Sequence, residues 1–230
     1  MTEDSAASKT EQLAHGRPAV ERWLSWSGLV PLPAFLLLHL GRELQLSFAN
    51  DVSDVLRPAP SVVSTVSAWL LVWLPLTAHA LLGAWFVLSG RRLSHLTGEG
   101  EGADVPAQSR QVSRVTSVLS LLFIAYHARA YGLSVWLGEA DARDAGFRLL
   151  AELSSTTSGV PVFGGLYLLG LLATVTHTGL AVHRALAAEG LLATAARRRA
   201  SARACAAFAA LLFCVGAAAV IRVASGVLLR

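Results

Sequence analysis

Five stretches of the chain run mostly apolar with few charges, at about 23–46, 62–89, 112–137, 160–188 and 203–229, and polar segments separate them. A helix that crosses the hydrocarbon of a bilayer needs about 20 such residues, so each stretch predicts a spanning helix. Pro31 and Pro33 interrupt the first stretch and Pro75 the second, while Pro161 opens the fourth. Proline is tolerated inside a membrane helix when neighbouring helices re-satisfy the freed carbonyls, and Pro161 suits a first-turn position. The connections carry Asn50, Asp51 and Asp54 (47–61), a charged glycine-rich run (90–111), a mixed segment (138–159) and the triplet Arg197, Arg198, Arg199 (189–202). The fold expected is an all-α integral membrane bundle. A tail over 1–22 precedes a five-helix domain over 23–230.

Composition narrows the function. Hydrophobic residues make up 54% of the chain and charged ones 15%, against about 25% charged in a soluble domain. With so little charge, the net +4 does not describe a nucleic-acid binder. Basic residues are uneven instead: twelve fall on one side of the expected bundle, at 9, 17, 22, 91, 92, 110, 114, 184, 197, 198, 199 and 203, against five on the other. The positive-inside rule then puts the N-terminus in the cytoplasm and the C-terminus outside. Residues 1–20 are polar with no apolar core, so the first apolar run is expected to insert as a permanent helix rather than be cleaved. Cys205 and Cys214 lie nine apart on one helix, about 13 Å in rise and on opposite faces. They cannot bridge each other and read as small apolar fillers.

Each of the first four stretches carries a histidine in its second half: His39, His79, His127 and His177. An imidazole in hydrocarbon is costly unless something satisfies it. Helices one and three run outward and helices two and four inward. His39 and His127 therefore share an outer level, and His79 and His177 an inner one. By helical rise these rings lie about 20–24 Å from their entry points in a core of about 30 Å, which leaves the two levels about 18 Å apart. Two imidazoles at one depth can hold one metal from opposite sides, and a bis-histidine haem satisfies both rings in apolar surroundings. Two levels predict two b-type haems enclosed by the bundle. His15 and His95 read as solvated, and His183 as interfacial.

Small residues fit this arrangement. Gly83 lies one turn past His79. Gly28 and Thr116 precede His39 and His127 by eleven residues, close to three turns and about 16 Å, which puts them at the inner level. Ala68 holds the same offset before His79, and Leu166, beside Gly164 and Gly165, before His177.

The segments "RWLSWSGLVPLPAFLLLHLG" (22–41), "WLPLTAHALLGAWF" (73–86), "RVTSVLSLLFIAYHARA" (114–130) and "YLLGLLATVTHTGLAVH" (167–183) resemble the cytochrome b subunit of succinate dehydrogenase or fumarate reductase, in its five-helix, di-haem, single-anchor form. The likeness covers helices one to four. It implies that His39 with His127 and His79 with His177 bind two haem b groups. It implies as partners a flavoprotein and an iron–sulfur subunit on the cytoplasmic face of a bacterial membrane, and a quinone, menaquinone in most such anchors, reduced near the outer face. The succinate site is then not on this chain. Arg22 and Arg114 match the family's arginine positions and are candidates for inner haem propionates. Arg42 and Arg129 are candidates for outer ones, since cations pair with carboxylates. Glu43, Asp51 and Asp54 are candidates to relay protons to the quinone. Two other readings compete: the anchor of a different quinone-linked respiratory enzyme, and a cofactor-free transporter whose histidines line a polar path. Arg222, deep in helix five, needs a partner that the sequence does not reveal.

Overall fold

A computed structural model describes residue 23 and residues 26–43, 66–89 and 107–225. The tail with His15 and Arg22, the loop with Asp51 and Asp54, the loop with His95, and residues 226–230 lie outside the described residues. The described chain is helical between short connections.

Helix α1 spans Pro31–Glu43 and extends an apolar helix that begins at Trp26. Neither proline has an N–H to donate, and the ladder resumes where the Ala34 N–H donates to the Val30 carbonyl at 3.3 Å. Helix α2, Leu74–Leu88, is entered through a π-helical turn, Trp69–Trp73. Helix α3, Ala107–His127, leaves through a second π turn, Ala128–Leu133, and the short α4, Ser134–Trp136. Then follow α5, Ala142–Ser154, α6, Val162–Ala188, and α7, Ala195–Ala224.

Among the described residues, four helical segments are long and apolar enough to cross a bilayer: Val66–Trp85, Gln111–Trp136, Val162–Ala188 and Ala195–Ala224. The chain is a multi-pass helical membrane protein. Of the first expected span, the described residues include an apolar helix over Trp26–Gly41. Two connections differ from expectation. Helix α7 starts at Ala195, so Arg197, Arg198 and Arg199 lie in its first turns rather than in a loop. The segment over 138–159 folds largely into α5, whose Ala145, Leu150 and Leu153 are buried while Arg148 and Glu152 stand one turn apart on another face.

Helix ends follow local chemistry. The Thr194 hydroxyl accepts from the Arg197 N–H at 3.2 Å and caps α7, an interaction worth about 1 kcal/mol. Gly138 and Gly190, at φ +71° and +75°, end α4 and α6 in left-handed turns. After each, the next residue's N–H reaches back, Glu139 to the Ser134 carbonyl and Leu191 to the Leu186 carbonyl. A side chain at either position is strained.

Helix α6 lies at the centre, packed against α3 and α7; α1 lies on α7, and α2 on α1. Lipid is as apolar as leucine, so association rests on close packing at small residues. Gly164 faces Ala224, Gly179 meets the Cys205 carbonyl and Ala209, and Gly216 is covered by Leu171 and Leu40. Leu36, Leu40, Val175 and Leu212 form one buried cluster; Leu150, Leu153, Tyr167 and Val223 form a second, which ties α5 to α6 and α7. Leu70, Leu71, Leu74 and Leu81 on the second span face outward. Cys205 is half-buried and Cys214 exposed, so Cys214 is not the buried filler expected.

Candidate functional site

The four histidines meet in two pairs. His39 on α1 faces His127 at the end of α3, with ring centres 5.9 Å apart and planes at 69°. His79 on α2 faces His177 on α6, at 6.5 Å and 61°. Gly28 sets the spacing between the pairs. A Cβ on it would fall 2.6 Å from the His79 ring, which puts Gly28 at the His79 level. His39, eleven residues further along the same helix, is then about 16 Å away.

These separations suit a metal held between the rings. A metal–nitrogen bond of about 2.0–2.1 Å, with the ring centre about 1.2 Å beyond the nitrogen, puts two opposed imidazole centres about 6.4 Å apart. The donor set decides which metal. Among the described residues no group of three or more His, Cys, Asp or Glu is gathered in one place. Two imidazoles are too few for a bare structural ion, which takes about four protein ligands. They suit an iron whose remaining positions are filled by a porphyrin. Among the described residues, His177 Nδ1 also has no hydrogen-bond partner although it is buried, a costly state that metal ligation by that ring would offset.

The neighbours divide between the levels. The Phe35 ring stacks on His39 at 5.0 Å. Phe123 stacks on His127 at 5.9 Å and fills the place of a side chain at Gly170, where a Cβ would come within 2.3 Å of its ring. No described residue lies within 4 Å of a Cβ at Gly83. Gly28 lies against the His79 ring, at the inner level expected of it. Thr116 turns its hydroxyl back to the Val112 carbonyl at 2.8 Å, and Arg114 is exposed. Arg42 and Glu43 belong to the last turn of α1, with side chains outside those described. His183 Nδ1 pairs with the Ser201 hydroxyl at 3.0 Å, and Arg184 donates to the Ser113 hydroxyl at 2.6 Å, tying α6 to α3.

Arg129 has a protein partner, Glu139, at 2.8 Å, both about half exposed. An exposed pair of this kind contributes about 0–1 kcal/mol. Glu139→Gln is therefore expected to leave thermal stability nearly unchanged, and a drop in Tm of many degrees would contradict this.

A polar cluster that the sequence reading did not single out adjoins the His39–His127 level. The Tyr167 hydroxyl lies 3.2 Å from His127 Nδ1. Tyr131 packs against His127, ring centres 5.5 Å apart, and against the cluster that holds Tyr167, and donates to the Glu152 carboxylate. Tyr126 donates to the same carboxylate at 2.9 Å, and the Arg148 guanidinium lies over the Tyr131 ring at 5.7 Å. Tyr131 follows His127 by four residues, a same-face signal available in the sequence. Leu166, which held the expected offset before His177, is 54% exposed; its neighbour Tyr167 is the buried residue. Both π turns lie at this level, and the Trp69 and Trp136 rings that flank them meet at 4.9 Å. Wide turns of this kind are frequent at functional sites.

Comparison with known proteins gives one weak similarity. The succinate dehydrogenase cytochrome b558 subunit of Bacillus subtilis (strain 168) is 21% identical over 155 residues, covering 65% of this chain and 69% of that protein. No family model matches the chain, and no solved structure does. The similarity supports the succinate dehydrogenase cytochrome b family and a role as a membrane-anchor cytochrome.

Proposed function

We propose that this chain is the membrane-anchor cytochrome b subunit of a succinate:quinone oxidoreductase, of the five-helix, di-haem type. The observation that carries the reading is the pair of histidine sandwiches, 5.9 and 6.5 Å between ring centres, about 16 Å apart along α1. Each has the spacing and the donor number of a bis-histidine haem. When bound, two haem b groups supply one-electron carriers between a cytoplasmic iron–sulfur subunit and a membrane quinone, menaquinone being the expected type. The chain's own part is to fix the two groups. His39 and His127 hold one and His79 and His177 the other, while the packed α1, α6 and α7 keep both levels in register and exclude water. The basic cytoplasmic side, rich in arginine at 91–92 and 197–203, offers charge for docking the iron–sulfur subunit. Glu43, Asp51 and Asp54 are the carboxylates proposed to serve the quinone, with Arg22, Arg42, Arg114 and Arg129 as candidates near the propionates. The N-terminus is assigned to the cytoplasm of a bacterium and the C-terminus to the outside.

Purification from native membranes tests this. A reduced-minus-oxidised spectrum is expected to show a b-type α-band at about two haems per chain, with a flavoprotein and an iron–sulfur subunit co-purifying. Absence of the band overturns the haem assignment. A band with other partner subunits moves the chain to a different quinone-linked enzyme.

A further inference from the structure

His177 and His127 are supported unequally. Among the described residues, His177 Nδ1 is buried and has no hydrogen-bond partner. By contrast, His127 Nδ1 meets the Tyr167 hydroxyl at 3.2 Å, and Tyr131, packed beside His127 and the cluster that holds Tyr167, donates to the Glu152 carboxylate. Tyr167 is 6% exposed and held edge-on to Phe123 at 5.2 Å, so its hydroxyl has little freedom to point elsewhere. Glu152 is also held by Tyr126, which donates to the same oxygen at 2.9 Å. Both phenols donate to one carboxylate oxygen, which gives the chain a direction. With the Tyr131 proton on Glu152, a Tyr167 hydroxyl turned toward Tyr131 would donate to it and accept from His127 Nδ1–H.

We infer that Tyr167, Tyr131 and Glu152 form a positioning relay that fixes the tautomer of His127 and increases its donor strength toward a metal on Nε2. The inference rests on the haem reading above and deepens it. A ring N–H held by an acceptor leaves the opposite nitrogen free for metal, orients the ring and raises its basicity. An acceptor chain that ends on a carboxylate does so more strongly than a lone phenol, because hydrogen bonds to ionised groups are about twice as strong. A more basic ligand favours the oxidised over the reduced iron, so the relay lowers the potential of the haem on His127. Among the described residues no such partner meets His177 Nδ1, so the relay would act on the haem held by His127 and not on the other.

Redox titration of the assembled complex tests the relay. Tyr167→Phe keeps the ring packing and removes the hydroxyl. Both haems are expected to remain in the difference spectrum. One midpoint is expected to rise by on the order of tenfold in the reduction equilibrium, about 59 mV for one electron, with the other unchanged. Glu152→Gln leaves Tyr167 in place and is expected to raise the same midpoint by less. Two haems with unaltered midpoints in Tyr167→Phe would overturn the relay while leaving the haem reading intact. A shift in both midpoints together would overturn it as well, since a general structural loosening has no reason to select one level. A wild-type complex without a b-type band fails the haem reading instead, and is distinguished by the spectrum alone.

Discussion

Alanine at His79 and alanine at His177 are expected to delete the same haem, and alanine at His39 and alanine at His127 the other. Each variant is expected to keep about half of the b-type absorbance, because one imidazole of a pair does not hold the group that two hold. The pairing follows from position in the fold. The members of each pair come from different helices and approach to 5.9 and 6.5 Å, while His39 and the His79 level are about 16 Å apart along α1. Low-temperature difference spectra resolve two bands when two haems differ in surroundings, so the missing band identifies the level. If His39→Ala and His79→Ala removed one and the same band, the two-level arrangement would be wrong.

The second large effect is expected at Gly28. A methyl group there would fall 2.6 Å from Cε1 and Nδ1 of His79 and 3.0 Å from Cγ. Ordinary contact begins near 3.4 Å, so the ring has to retreat by most of an ångström, and a ligand displaced by more than about 0.5 Å leaves its productive geometry. Gly28→Ala is therefore expected to lose or weaken the haem at the His79 level, with an overpacking cost of about 1–3 kcal/mol, and to leave the other band in place. Gly41→Ala, at an exposed position of the same helix, is the matched control. No described residue lies within 4 Å of its Cβ, and the spectrum is expected to stay as in the wild type. Equal effects at the two glycines would show that the clash at Gly28 relaxes without moving the histidine.

Hydropathy and helical rise made the main architecture legible. The last four apolar stretches appear as long apolar helices, and the histidines grouped by depth are the ones the fold brings together. Depth is a one-dimensional quantity that residue counting supplies. Lateral detail was less accessible. Helix α5 was hidden in a segment scored as polar, because a helix with Arg148 and Glu152 on one face and Leu150 and Leu153 buried averages to neither class. The start of α7 was hidden for a related reason: three consecutive arginines suggest a loop, yet alanines on either side are strong helix formers and Thr194 supplies the cap. The offset before His177 pointed at Leu166 when Tyr167 faces inward, a rotation of one residue that an eleven-residue period does not resolve. The Tyr131–Glu152 contact joins residues 21 apart on different helices, and no local pattern announces it.

The two π turns alter how the levels should be measured. A wide turn closes its hydrogen bonds over five residues instead of four, so it uses length of chain in circumference that a regular helix would use in height. One such turn follows His127 at Ala128–Leu133 and the other precedes His79 at Trp69–Trp73. Both fall between the histidines and the same end of the bundle. Residue counts therefore overstate the protein wall on that side, and the His39–His127 pair lies nearer to its surface than an even ladder would put it.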